Sequence, residues 1–294
     1  MTNINRALLA LSAILAIAYG AFGSSLYEGA PPFVVGTIFK ASSIITLGLI
    51  ALLARSRLLA AGLLFGALGD ALLAWSPDTF LYGALAFLIG HLFYITIWLR
   101  SGIGVVAALK EPPRLIGALA LIAAAFVMTY LLVPRDNAMF VPLSVYTGVL
   151  TLMALCSFTL PASRWLVMAG AALFFISDGF VGWNMFHPDP NPTLAYWRSF
   201  AGWLVYWGGQ AAICVGALGL HRTSRYCSLF VLDRGAVLKI NAASGSWHDR
   251  LRYYRFERHC ALVRLLRRGV RAPGLCAQLR RRHLGGVRPQ RQRR

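Results

Sequence analysis

Charge is scarce in the first three-quarters of this sequence. Residues 1–220 hold ten lysines and arginines and seven acids, and charged residues make up only 13% of the 294-residue chain. Hydrophobic residues account for 58%, and mean hydropathy is +0.62. A chain folded in water cannot hide that much apolar surface, which excludes an ordinary soluble domain. Paired cysteines are missing too. Cys156, Cys214, Cys227, Cys260 and Cys276 are scattered without a Cys-x-x-Cys, and the Cys260, Cys276, His283 spacing fits no zinc pattern. Free thiols, no metal and no cofactor are therefore expected. Neither Gly-x-Ser-x-Gly nor His-Glu-x-x-His occurs, so serine-nucleophile and zincin-type hydrolysis have no support.

What is present is apolar length. Eight stretches are long enough to cross a bilayer: approximately Ala7–Gly23, Phe33–Ala54, Leu58–Trp75, Phe80–Leu99, Leu115–Val133, Met139–Leu160, Trp165–Phe186 and Ser199–Leu220. They predict an all-α, polytopic transmembrane bundle over residues 1–220. Met1–Gly23, with Arg6 ahead of an apolar run, has the look of a signal peptide; beside seven further spans it reads as the first helix.

The formal charge of +19 is concentrated beyond the spans. Residues 221–294 hold nineteen basic residues against three acids, and Lys239 is the only lysine among them. This tail lacks sustained helical periodicity. It is expected to be a disordered basic arm attracted to anionic lipid, or the product of a shifted reading frame in GC-rich DNA. Nucleic acid is not an expected partner.

Short loops set orientation, because lysine and arginine are retained on the cytoplasmic side. One alternating set of connections holds Arg6, Arg55, Arg57, Arg100, Lys110, Arg114 and Arg164; the other holds only Arg135 and Arg198. Both termini are expected to be cytoplasmic, and the chain is expected in a bacterial inner membrane.

Two spans carry the same interruption. Leu63–Trp75 reads LLFGALGDALLAW and Ala172–Trp183 reads ALFFISDGFVGW; each has a small residue, an aspartate and a tryptophan five positions on. A carboxylate in hydrocarbon is costly and persists where it faces a polar cavity or a partner. Counting 1.5 Å per residue puts Asp70 and Asp178 roughly 8–12 Å below one set of helix ends, with Lys40 level with them and His91 and Gln210 deeper, at roughly 16 Å. The following spans place Gly90-His91 and Gly209-Gln210 at matching depths, the mark of two four-span halves.

With Lys40 charged and His91 neutral, this layer has one cation for two acids. It is expected to settle with one carboxylate ionised and one protonated, the pairing that general acid–base hydrolysis requires. Asp70 and Lys40 also fit a simpler role as an ion pair tying helices together. Gly62 and Gly66 lead to Asp70 at four-residue steps, a strip that permits close helix approach. Tyr94 shares the face of His91; Tyr146, Asn184 and Gln210 complete the candidates for supporting or substrate-binding roles.

The ordered segments FGALGDALLAW (65–75), AFLIGHLFY (86–94), VPLSVYTGVLTLMA around Tyr146, AGAALFFISDGFVGWNMF (169–186) and VYWGGQ (205–210) resemble the YhhN-like family of eight-span membrane proteins, which includes lysoplasmalogenases. The resemblance implies hydrolysis of the vinyl ether bond of lysoplasmalogen-type lysophospholipids to a fatty aldehyde and a glycerophospho-base. It also implies Asp70 and Asp178 as the functional acids. The family commonly has Lys-Pro in the second span, whereas here Lys40 precedes Ala41, so a proline kink is missing. A membrane transporter, proton-coupled or not, draws on the same ingredients and is the alternative.

Overall fold

The computed structural model describes residues 1–22 and 33–218, together with two short strands beyond them. The chain divides into two units, Met1–Tyr226 and Cys227–Arg294. In the second, β1 (Phe230–Leu232) pairs antiparallel with β2 (Ala236–Leu238), Val231 opposite Val237. The expectation of a disordered or frame-shifted tail otherwise falls outside the described residues.

The described part of the first unit is helical. Its helices are α1 (Asn3–Phe22), α2 (Val34–Leu53), α3 (Arg57–Trp75), α4 (Phe80–Ser101), the short α5 (Val105–Leu109), α6 (Pro112–Val127), α7 (Phe140–Ser157), α8 (Trp165–Phe186) and α9 (Pro192–Ala217). A π-helical turn, Met128–Leu132, continues α6. Starts follow local chemistry. Pro112 and Pro192 occupy first turns, where the missing N–H costs nothing, and the Asn191 side chain accepts from the N–H groups of Thr193 and Leu194. Between α2 and α3 the chain turns through Arg55 at φ 60°, and Ser56 N–H reaches back to Ala51 O at 2.9 Å. That closure resembles a Schellman end in which arginine takes the place usually given to glycine.

The eight expected spans correspond to α1–α4 and α6–α9. Among the described residues, seven helices are both long and apolar enough to cross a membrane. The eighth, α9, has 26 residues but is more polar, carrying Arg198, Gln210 and two tyrosines. Its contacts show that it crosses the same layer. Tyr196 Oη donates to Gly20 O at 3.2 Å, Trp203 Nε1 to Ala16 O at 2.8 Å and Trp207 Nε1 to Ser12 Oγ at 2.9 Å. Each step along α9 meets a step back along α1, so the two run antiparallel.

Two arginines from the basic set of connections turn out to be helix caps. Arg114, buried, donates to the carbonyls of Phe158 and Leu160 beyond the end of α7 and pairs with Glu111 at 2.6 Å. Arg164 donates to Gly216 O at 3.0 Å and Leu218 O at 3.3 Å at the end of α9. A cation on terminal carbonyls satisfies both their lone pairs and the helix dipole. These bonds gather the ends of α7 and α9 and the start of α8 with the connection after α4, whose Ile103 N–H bonds Thr159 O at 2.7 Å.

The helices repeat. Gly90 of α4 crosses α3 so closely that an added Cβ would lie 3.0 Å from Gly62 O. Gly209 of α9 crosses α8 in the same way, 2.9 Å from Gly170 O. Gly62 and Gly170 each stand eight residues before their aspartate. Packing extends the correspondence: α2 lies against α1, α3 and α9, and α7 lies against α6, α8 and α4. This is the pattern of two four-helix halves that exchange partners, the second packed more loosely. Helices α3, α4, α7, α8, α9 and α2 form a ring in which each touches the next, except that α2 closes it through both α9 and α3.

The glycine crossings should be sensitive to a single methyl group. In Gly170→Ala the Cβ would meet backbone atoms of Gly209 and Ile213 at 2.7 and 2.8 Å, and neither can rotate away. We expect it to cost about 1–3 kcal/mol, the scale of core overpacking, and to lower the melting temperature in detergent. Gly148→Ala, with open space around the added carbon, should be neutral or stabilising. Equal melting temperatures for the two variants would show that the close crossing is not a stability determinant.

Candidate active site

A cavity of about 570 Å³, in the size range of small-molecule sites, opens within the ring and is lined also from α1 and the π-helical turn. Asp70 of α3 and Asp178 of α8 both line it, with Lys40, Tyr146, Asn184 and Tyr206. Each aspartate is seated by donors from other helices. Tyr206 Oη of α9 donates to Asp70 Oδ2 at 2.7 Å, and Lys40 Nζ lies 3.9 Å from Asp70 Oδ1. Tyr146 Oη of α7 donates to Asp178 Oδ2 at 2.5 Å, with Ser177 Oγ 3.4 Å from Oδ1. Lys40 also lies over the Trp203 ring, 5.9 Å from its centroid.

The repeat explains the pairing and its asymmetry. Lys40 is the seventh residue of α2 and Tyr146 the seventh of α7. One position in the repeat therefore supplies an ammonium to Asp70 in the first half and a phenol to Asp178 in the second. Tyr206 stands three residues before Gly209; its counterpart, three before Gly90, is Phe87, which cannot donate. Asp70 thus has a cation and a hydroxyl. Asp178 has the Tyr146 hydroxyl, with Ser177 Oγ close by but donating to Phe174 O at 2.6 Å, and, among the described residues, no ion pair. Two acids in matching places hold opposite electrostatic settings.

A row of rings joins the two seats. Tyr206 and Phe174 have centroids 5.2 Å apart, Phe174 and His91 4.9 Å, and His91 and Tyr146 5.7 Å. Phe87 packs edge-on to both Phe174 and Tyr206. Phe87, Tyr146 and Tyr206 line the cavity, and Phe174 and His91 pack behind them.

His91 and Gln210, expected on the deeper wall, lie one layer behind it with Tyr94; none of the three lines the cavity. Gln210, fully buried, accepts from Tyr94 Oη at 2.8 Å and donates to Tyr206 Oη at 3.3 Å. It fits there because Gly66 has no side chain: a Cβ would lie 2.9 Å from Gln210 Nε2. The relay Tyr94–Gln210–Tyr206–Asp70 therefore orients the tyrosine that seats the acid. His91 is 1% exposed, and among the described residues neither ring nitrogen has a hydrogen-bond partner.

Asn184 sits at the cavity margin, with Nδ2 3.2 Å from Ser199 Oγ and Oδ1 accepting from Arg198 Nε. Arg198 also pairs with Asp189 at 3.3 Å, so its guanidinium is committed to its own neighbours. Sequence reasoning passed over Tyr206. Its signal was available: Tyr206 precedes Gln210 by one helical turn and so shares its face. Among the described residues, no group of three or more His, Cys, Asp or Glu side chains could hold a metal ion.

Comparison with known proteins agrees with this arrangement in extent. The YhhN family model matches residues 35–217. That stretch contains both acids, both glycine crossings and the relay. The mouse (Mus musculus) lysoplasmalogenase TMEM86B is 32% identical over 130 residues, 44% of this chain and 51% of the mouse protein. The match thus spans about half the length of that curated relative. No solved structure matches.

The unequal seats predict unequal stabilities. Asp70→Asn leaves Lys40 facing a neutral amide, whereas in Asp178→Asn the new carbonyl still accepts from Tyr146. Asp70→Asn should lower the melting temperature more. The loss should fall below the roughly 3–5 kcal/mol of a fully buried broken pair, because the Lys40 side chain keeps 16% exposure through the cavity. Adding Lys40→Met to Asp70→Asn should recover part of it. Equal melting temperatures for the two Asp→Asn variants would contradict the ion-pair seat.

Proposed function

This chain belongs to the YhhN family, and we propose that it is an integral-membrane hydrolase that cleaves the vinyl ether bond of lysoplasmalogen-type lysophospholipids. The products would be a fatty aldehyde and a glycerophospho-base. The observation that carries the reading is one cavity lined by two carboxylates of unequal surroundings, Asp70 beside a lysine and Asp178 beside hydroxyls alone. The mouse relative's name agrees with it.

The chemistry needs an acid and a base and no covalent intermediate. A vinyl ether becomes reactive when its β-carbon is protonated, which leaves an oxocarbenium ion at the carbon bonded to oxygen. Asp178, with no cation beside it, is assigned as the acid that holds and delivers this proton. Asp70, beside Lys40, is assigned as the carboxylate that offsets the cation and takes a proton from the attacking water. Water addition gives a hemiacetal. In its collapse, the hemiacetal hydroxyl returns a proton to Asp178 while Asp70 gives its proton to the departing glycerol oxygen. One water is consumed, and both side chains end as they began. Tyr146 and Tyr206 hold the two carboxylates, and the ring row screens the cation from the rest of the bundle.

An internal repeat around a buried Asp–Lys pair is also found in carriers, so the alternative reading is a membrane transporter. Product chemistry separates the two, since a carrier releases no aldehyde. Purified protein given lysoplasmalogen in detergent should release fatty aldehyde. Asp70→Asn and Asp178→Asn should each lower turnover by at least about a hundredfold, the lower end of what positioned acid–base groups contribute. Retained turnover in either variant removes that aspartate from the mechanism, and no aldehyde from the wild type would favour the carrier.

A further inference from the structure

The two sides of the cavity differ in chemistry. Helices α1, α2 and α9 pack on one another, and their side carries Lys40 and Ser199, with Asn184 of α8 bonded to Ser199, beside the rings of Tyr19, Tyr196, Phe200 and Trp203; the Tyr196 hydroxyl is given to α1 carbonyls. Lys40 is the one lysine or arginine lining the cavity among the described residues. On the opposite side α4, α7 and the π-helical turn pack together and contribute Phe80, Ala84, Phe87, Met128, Val133 and Leu143. The polar groups lining that side are Tyr146, whose hydroxyl is given to Asp178, and the buried Thr147. Asp70 on α3 and Asp178 on α8 stand where the two sides meet.

The geometry points to a fixed orientation for a single-chain lipid: phosphate-bearing headgroup toward α1, α2 and α9, hydrocarbon chain along the channel between α4, the π-helical turn and α7. This inference rests on the hydrolase reading and adds the direction of binding and the residues that measure the chain. A lysolipid has its polar-to-apolar junction at the bond to be cleaved, and the acids stand at the same junction in the wall. The orientation also agrees with the roles assigned from charge. The β-carbon that must be protonated lies one atom further into the chain than the carbon that water attacks. Asp178, seated by α7 on the apolar side, is then nearer the first; Asp70, beside Lys40 on the polar side, is nearer the second. The π turn has a part in this, because Met128 at its start and Val133 just past its end both line the cavity. Such turns recur at functional sites.

Ala84 and Leu143 become the chain-length determinants. Two measurements test the orientation without requiring turnover. A saturated alkyl-ether lysophosphatidylcholine lacks the vinyl bond and is inert to the proposed chemistry. With a diazirine at its chain end it should label peptides from 80–87 and 128–147; with the diazirine in its headgroup it should label α1 and α9. The reversed pattern overturns the orientation and leaves the hydrolase reading standing. No labelling that excess unlabelled lipid displaces would instead overturn the lipid reading on which it rests. In competition binding, Leu143→Trp and Ala84→Phe should each weaken a C18 lysolipid at least tenfold and leave a C10 lysolipid within twofold. Two variants guard against one failing to fold. Equal weakening at both lengths would contradict the assignment of the channel.

Discussion

Everything in this bundle is arranged around two carboxylates that hydrocarbon would not tolerate. An unpaired charge or unsatisfied polar group in the apolar interior costs several kcal/mol, so each aspartate requires donors, and each donor must come from another helix. Tyr206 on α9 reaches Asp70 on α3; Tyr146 on α7 reaches Asp178 on α8. Those bonds tie the first half of the chain to the last helix and the sixth span to the seventh. The glycine crossings serve the same end. Where Gly90 meets Gly62 and Gly209 meets Gly170, α4 comes to backbone contact with α3 and α9 with α8, which brings each acid-bearing helix close to its neighbour.

The repeat gives the site its form, and the positions at which its halves differ give the two acids unequal seats. Were the seventh position of both α2 and α7 the same residue, the acids would have more nearly equivalent seats. Lysine at one and tyrosine at the other breaks that equivalence with one side chain. Phenylalanine at 87 against tyrosine at 206 breaks it again. The second change has a structural consequence, because Phe87 packs edge-on in the ring row while Tyr206 must be held by Gln210 and, through it, by Tyr94.

Much of this was legible in the residues. The matching Gly-Asp and Ser-Asp segments announced both the acids and the repeat, because an aspartate in an apolar helix is conspicuous and its helical depth can be counted. What could not be read was which polar side chains face the cavity and which stand behind it. Gln210 and His91 lie at the counted depth, but neither lines the cavity: Gln210 bonds Tyr206 and His91 packs on Tyr146 and Phe174, and rotation about a helix axis is set by packing. Arg114 and Arg164 were counted as loop charges, although their work is to cap α7 and α9; partners 44 and 52 residues away leave no local trace. The π turn after α6 has no signature in Met-Thr-Tyr-Leu-Leu. Tyr206 was within reach of the sequence, one turn before an intramembrane glutamine.

The proposed mechanism turns on a fixed carboxyl group that protonates the β-carbon of the vinyl ether. Hydrolysis in deuterium oxide examines that step itself. The fatty aldehyde should carry one deuterium at C2, all on one face, because the proposed donor, Asp178, approaches from a single wall. An aldehyde without deuterium at C2, or with deuterium equally on both faces, would contradict proton delivery by a group held in the site.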